Sequence, residues 1–302
     1  MRVEFAQAMI DSFDKHPEMV FITGDLGYMA LEEVQAKFGE KFINAGVAEQ
    51  NMVTIAASMA HEGFVPWLYS ISPFVTLRPY EQIRNDACLH DLPVKLVGNG
   101  GGYGYGIMGA THHNIEDIGA MRILPNMRVY VPFTASDVAQ AIGQMQLDPH
   151  PNYLRLNQGA KISYPVGSFT QWRKIKDGTE GVVVGTGPVV ENICNLDIAT
   201  DLEIWVVSIF PIAEIPVELI ASVNVTQKLI VIEEHTGECG LRETLSFHLM
   251  NSLTSNIKIL SLSANGYPSG KYGDQKWHQA ENALGGESLK KQVANFMLEP
   301  GR

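Results

Sequence analysis

Asn44-Ala45-Gly46-Val47-Ala48-Glu49-Gln50-Asn51-Met52 is the stretch on which the reading of this chain turns. The extended segment Lys41-Phe42-Ile43-Asn44 runs into small residues, and an apolar helix from Asn51 to His61 is expected directly behind Glu49. A carboxylate is thus aimed at the first turn of a helix that reads as almost wholly buried. The helix macrodipole favours an acid there, and that alone would account for Glu49. A sequestered carboxylate is also too costly to leave unpaired, so Glu49 is equally readable as a functional hydrogen-bonding group.

Working outward, Met19-Val20-Phe21-Ile22-Thr23 is a short apolar run that stops at Gly24-Asp25, as a buried parallel strand does at its ligand-facing edge. Asp25 reads either as a turn or helix cap or as a residue facing a site. A helix is expected over Leu31 to Phe38, a strand over Phe64 to Tyr69, a helix over Val75 to Leu89, and strands over Val94 to Val97 and Arg128 to Val131. Strands alternating with helices imply a mainly parallel sheet covered on both faces.

Composition narrows the function classes. The 302 residues are enough for two domains, and 45% apolar against 18% charged residues describes a globular chain. A net charge of −11 without a basic stretch excludes a nucleic-acid backbone as partner. The three cysteines, Cys88, Cys194 and Cys239, are far apart and odd in number, which fits a reducing cytoplasm and no metal spacing. The amino-terminal segment reads as an amphipathic helix, and no apolar run approaches the roughly 20 residues of a membrane span. A soluble, cytoplasmic protein without membrane or nucleic-acid partners is expected.

After the strand ending at Val97 comes Gly98-Asn99-Gly100-Gly101-Gly102-Tyr103-Gly104-Tyr105-Gly106-Ile107-Met108-Gly109. Gly104, Gly106 and Gly109 spell a dinucleotide fingerprint, but no helix opens behind them and no acid ends the next strand, so a nicotinamide site is excluded. Such glycine content lets backbone approach a ligand or another subunit closely. His112 and His113 follow, with Thr111 or Asn114 placed to cap a helix. Adjacent histidines project in different directions, which disfavours a metal site, and either imidazole is a candidate for proton transfer or for binding a substrate hydroxyl.

Gly46-Val47-Ala48-Glu49-Gln50-Asn51-Met52, Arg78-Pro79-Tyr80-Glu81-Gln82-Ile83-Arg84-Asn85, Thr111-His112-His113 and Leu124-Pro125-Asn126-Met127 occur in the order seen in the transketolase family, which the chain resembles over nearly its whole length. The resemblance covers the family's pyrimidine-binding and C-terminal domains only. It implies that Glu49 hydrogen-bonds to N1′ of the aminopyrimidine of thiamine diphosphate, favouring the tautomer that removes the proton from thiazolium C2. The cofactor carries the reactive carbon and the protein supplies tautomer control and orientation. Phe74 aligns with an aromatic that stacks on the pyrimidine, while Ile71 and Leu77 stand where further aromatics are usual. Asp25 and Ile71 join Glu49 and Phe74 as implied cofactor-binding residues, and His112 is the implied catalytic and substrate-contacting histidine.

The departures matter as much. Positions that hold a sugar phosphate or substrate hydroxyl in the family are matched here by Gly100, Met29, Gln158 and Met108, none of them charged. A phosphate needs cationic or N–H donors, so an ordinary sugar phosphate held in the usual way is not expected. Arg155 lies near enough that a shifted alignment would restore one anion contact. Nothing resembles the family's Gly-Asp-Gly and asparagine set for the magnesium (Mg2+) that carries the diphosphate, an ion that needs oxygen ligands. The expectation is a partner: an N-terminal transketolase-like subunit holding diphosphate and metal, in an α2β2 heterotetramer with the active site at the contact.

The architecture expected is α/β with two domains, each a mainly parallel sheet flanked by helices: a pyrimidine-binding domain over 1–160, a linker over 161–178 and a C-terminal transketolase-like domain over 179–302. Strands are read at Gly181 to Thr186, Ile204 to Ser208 and Leu229 to Glu233, and His235 reads as structural. The implied function is the C-terminal component of a split transketolase, moving a two-carbon ketol unit from a ketose to an aldehyde or ketone acceptor, with small sugars as substrates. The alternatives are the β subunit of a 2-oxo acid dehydrogenase, disfavoured by the Thr111-His112-His113 pattern, and a non-catalytic module on the same scaffold, disfavoured by Glu49. A deoxyxylulose-phosphate synthase-like activity ranks lower, because that enzyme usually carries all domains in one chain.

Overall fold

Met19-Val20-Phe21-Ile22-Thr23 is buried at all five positions, as a strand covered on both faces must be. In the computed structural model, which describes residues 1–27, 30–163, 165–198, 200–250, 252–253 and 256–299, this strand is β1 (Met19–Thr23) of the first sheet. It is joined by β2 (Phe42–Asn44), β3 (Val65–Ile71), β4 (Lys95–Asn99), β5 (Arg128–Tyr130) and β6 (Asn152–Leu156). The order is β5-β6-β4-β3-β1-β2, all parallel.

Alternation along the strands assigns the two covers. Val20, Ile22, Leu68 and Leu96 meet helix α3, whose Met52, Val53 and Ala56 share their core; α1 is Arg2–Phe13, α2 Glu32–Phe38 and α3 Glu49–His61. Phe21, Trp67 and Val97 face the other way, onto Phe5 of α1, Val34 of α2 and Val138 of the helix Asp137–Leu147. Small alanines on α3 let it lie close to the sheet, and that fixes the height at which Glu49, its first residue, stands.

The helix expected over Val75 to Leu89 is interrupted. It is α4 (Ser72–Thr76), then a short turn at Tyr80–Gln82 that runs into a π-helical turn at Ile83–Cys88. Pro79 has no N–H to give and disfavours helical dihedrals at Arg78, so the break falls between them.

The second sheet contains β7 (Trp172–Lys176), β8 (Gly181–Thr186), β9 (Leu202–Val207), β11 (Lys228–Thr236) and β12 (Lys258–Ala264), in the order β12-β11-β8-β9-β7. Only β7 runs antiparallel. The span read as a linker therefore holds an edge strand. Mixed charge hid it: Arg173, second in β7, is buried and grips both oxygens of Asp137 at 2.7 Å each. Between β9 and β11 the chain crosses back, and β10 (Ile209–Phe210) adds to β5 as an antiparallel edge of the first sheet. The fold is thus α/β with two mainly parallel sheets flanked by helices. No helix among the described residues is long and apolar enough to cross a membrane.

Candidate active site

Two strand ends build the centre of the site. Asn44, last in β2, uses one carboxamide to tie three points: its Oδ1 accepts from the backbone N–H of Asp25 and of Gly46, both at 3.0 Å, and its Nδ2 donates to Asp25 Oδ1 at 3.1 Å. The chain then turns at Gly46 in the left-handed region (φ +72°), a conformation that favours glycine. Three residues later Glu49 opens α3, 5% exposed and backed by Gly24. Its Oε1 accepts a hydrogen bond from Arg78 Nη1 at 3.0 Å.

Arg78 reaches Glu49 by lying on Phe74. Its guanidinium carbon is 3.6 Å from the centre of the Phe74 ring, a cation–π stack. The residues are four apart, and Arg78 reaches Phe74 from the turn that follows α4. The ring of His112 also stands near Phe74, at 5.2 Å and 60° to it, and Tyr105 lies 5.8 Å from His112. Thr111 Oγ1 and His112 Nδ1 are 2.9 Å apart, and Asn99 Nδ2 donates to the Tyr105 hydroxyl. Of the residues singled out in the sequence, Glu49, Phe74 and His112 are thus linked in a row, Glu49 to Phe74 through Arg78 and Phe74 to His112 ring to ring.

His113 points away. Its Nε2–H donates to the carbonyl of Gly106 at 2.8 Å, and its Nδ1 accepts from the Tyr267 hydroxyl at 2.9 Å, which joins the glycine loop to the C-terminal half. Burial holds its pKa down at about 4, so the ring is neutral in the folded chain. A histidine whose folded pKa lies below its unfolded one loses native stability as pH falls, because only the unfolded chain takes the proton between about 6.5 and 4. Stability is therefore expected to decline across that window, and His113→Gln should flatten this part of the profile. Chemical denaturation at stepped pH reads the difference.

The glycine loop does not behave as a ligand cradle along its whole length. Gly102 (φ +63°) faces Glu234 so closely that an added Cβ would come within 2.5 Å of its carboxylate, and Tyr103 N–H donates to the same oxygen at 2.7 Å. The close approach that the glycines permit is largely to this chain's own C-terminal half. Neither Thr111 nor Asn114 caps the next helix, which begins at Asp117; Asn114 is buried instead, donating to Ser72 and Thr76 hydroxyls.

Of the remaining sequence candidates, Gly100 and Gln158 line one cavity with Arg2, Tyr105 and Asn157, and the others are not brought together. Ile71 ends β3 beside α4, buried, and Asp25 is engaged with Asn44. Gly100 lies under the Tyr105 ring, where even a methyl group would come within 2.3 Å of it, so this loop leaves no room for an imidazole. Met108 is exposed at the tip of the turn Gly106–Met108, Gln158 is exposed on a different loop, and Met29 lies outside the described residues. Arg155 is the clearest correction. It is buried, its Nε donates to Asp117 Oδ2 at 2.8 Å, and its Nη2 donates to the carbonyls of Asn114 and Glu234. Held inside the protein by these partners, it is not placed to meet a substrate anion. The sequence reading missed Arg78 and Asn44; the four-residue spacing from Phe74 to Arg78 was the available signal for the first.

Comparison with known proteins fits this geometry. The model of the transketolase pyrimidine-binding domain matches residues 1–161, and the chain belongs to that family. It is 27% identical over 259 residues to one of the subunits of the apulose-4-phosphate transketolase of Phocaeicola vulgatus, covering 81% of this chain and 83% of the relative. It is 28% identical over 272 residues to 1-deoxy-D-xylulose-5-phosphate synthase of Clostridium perfringens, where the match spans 86% of this chain but 44% of the synthase. Among solved structures, a split-gene transketolase described as an inactive β4 tetramer superposes with a TM-score of 0.83 at 24% identity, covering 98% of this chain and 97% of the other. The transketolase of Leishmania mexicana gives 0.77 at 16% identity, covering 99% of this chain and 46% of that enzyme. Membership of the family supports a transketolase-like role that depends on thiamine diphosphate, and the solved structures show the shared fold.

Proposed function

We propose that this chain is the C-terminal component of a split, thiamine diphosphate-dependent transketolase that moves a two-carbon ketol unit from a ketose to an aldehyde or ketone acceptor. The observation that carries the reading is the pair Glu49 and Phe74. Together they already hold a flat, N–H-bearing group: the Arg78 guanidinium is stacked on the ring at 3.6 Å and hydrogen-bonded to the carboxylate at 3.0 Å. An aminopyrimidine asks for the same two contacts, so the residues fit the cofactor's ring.

When bound, thiamine diphosphate would supply the reactive thiazolium carbon. Glu49 would hold the proton at the ring nitrogen, in a site sealed on the inner side by Gly24 and the first turn of α3. Phe74 would orient the ring, and His112 at its edge would exchange a hydrogen bond with a substrate hydroxyl. The diphosphate and magnesium are assigned to a partner subunit, in a heterotetramer, a reading supported by the apulose-4-phosphate relative, which is itself one subunit of its enzyme. Gly100, Met108 and Gln158 bring no charge and Arg155 is committed elsewhere, which supports the reading that this chain does not hold an acceptor phosphate in the way usual for the family.

The test is reconstitution. The full chain, co-expressed with a diphosphate-binding transketolase-like subunit, should co-purify with it, bind thiamine diphosphate with Mg2+ and transfer a two-carbon unit between sugars. Xylulose 5-phosphate and ribose 5-phosphate should be poor substrates. A complex that forms but binds no thiamine diphosphate would defeat the proposal.

A further inference from the structure

We propose that Arg78 is a displaceable latch whose guanidinium occupies the aminopyrimidine position of the isolated chain and must leave before the cofactor ring can enter. The inference rests on the reading of Glu49 and Phe74 given above.

Three observations carry it. First, the Glu49–Phe74 pair has one set of contacts to offer, and Arg78 holds both. Its guanidinium lies over the Phe74 ring at 3.6 Å and donates to the Glu49 carboxylate at 3.0 Å, while the ring of His112 stands 5.2 Å from Phe74. A ring cannot stack where a guanidinium already lies in van der Waals contact. Second, Arg78 is free to move. Its side chain is 45% exposed, it sits in the break between α4 and the turn at Tyr80–Gln82, and its one salt-bridge partner among the described residues is Glu49. Third, the latch solves a problem of the empty chain. Glu49 is 5% exposed, and without Arg78 its carboxylate would be a nearly buried charge with no cation beside it. The aminopyrimidine would take over the hydrogen bond as the guanidinium withdraws to water, so the buried acid is never left alone.

The latch lowers the apparent affinity of the free chain for the cofactor ring, since only the unlatched fraction binds. It also makes that affinity rise with salt, because a half-exposed ion pair is screened.

Thiamine, which carries the aminopyrimidine but needs no diphosphate site, is the probe, titrated into the full chain by calorimetry. If the slot is latched about nine-tenths of the time, Arg78→Met should bind thiamine about tenfold tighter than wild type and lose the salt dependence. Arg78→Lys, which keeps the charge but not the flat stack, should fall between them. In wild-type chain labelled at arginine, thiamine should move the Arg78 Nε resonance to its free-side-chain position, and Glu49→Gln should do so without ligand. Equal or weaker binding by Arg78→Met overturns the latch and leaves the reading of Glu49 and Phe74 standing. Failure of Arg78→Met to bind thiamine at millimolar concentration also overturns it. The wider reading falls separately, if the assembled wild-type complex fails to bind thiamine diphosphate.

Discussion

Glu49→Gln in the assembled complex is expected to lower kcat by about two to four orders of magnitude, the range that a positioned proton-transfer group contributes. The substitution is close to isosteric, so the amide oxygen still fills the space against Gly24 and can still accept a hydrogen bond, though without the charge that holds Arg78 in place. What it removes is the carboxyl group's ability to hold a proton at the pyrimidine nitrogen. Cofactor affinity in the complex should therefore change far less than turnover, because stacking on Phe74 and the partner's contacts remain. A fall in kcat with a nearly constant KM would place the loss in the transition state and not in ground-state binding. The melting temperature of the isolated chain should hardly move, since the Arg78 end of the ion pair is half-exposed and such pairs contribute little. Unchanged turnover by Glu49→Gln would end the proposed mechanism, whatever the affinity for thiamine diphosphate.

The parts of the fold legible in the sequence were those written as local patterns. The buried runs at Met19 to Thr23, Gly181 to Thr186 and Leu229 to Glu233 are strands, because apolar continuity over five or six residues leaves few other solutions. The strand at Trp172–Lys176 was not legible. Its Arg173 looks solvated in the sequence, and only the distant Asp137 makes its burial tolerable. The same failure applies to Arg155, read as a loop cation when its partner, Asp117, is 38 residues away. In the candidate site, motif order picked out Glu49, Phe74 and His112, which the fold brings into one row of contacts through Arg78. Which histidine joins that row was not legible, because that depends on Tyr267 arriving from the other half of the chain to take His113. Long-range polar pairs have no sequence period, and they account for most of what the sequence reading misplaced.

Arg155 supplies the sharpest way to separate structure from chemistry here. Its guanidinium is buried together with the Asp117 carboxylate, and the Tyr153 hydroxyl also donates to Asp117 Oδ2, at 2.7 Å. Burial pushes the Tyr153 hydroxyl well above its ordinary pKa, so it stays a donor to that carboxylate throughout. Arg155 also spans the two halves, since one of its donors ends on the carbonyl of Glu234 in β11. Removing one member of a buried pair strands the other charge, and the expected cost of Arg155→Ala is about 3–5 kcal/mol. For a chain of this size that is a fall of about 5–8 °C in melting temperature. Arg155→Lys should recover only part, because an ammonium cannot reproduce the forked donation to Asp117 and two carbonyls. Replacing both charges, as in Arg155→Met with Asp117→Leu, should cost less than the sum of the single changes, since neither charge is then left alone. If Arg155 were instead a substrate contact, Arg155→Ala would raise KM in the complex and leave the melting temperature where it was. Thermal unfolding of the isolated chain, set beside KM of the assembled enzyme, tells the two apart.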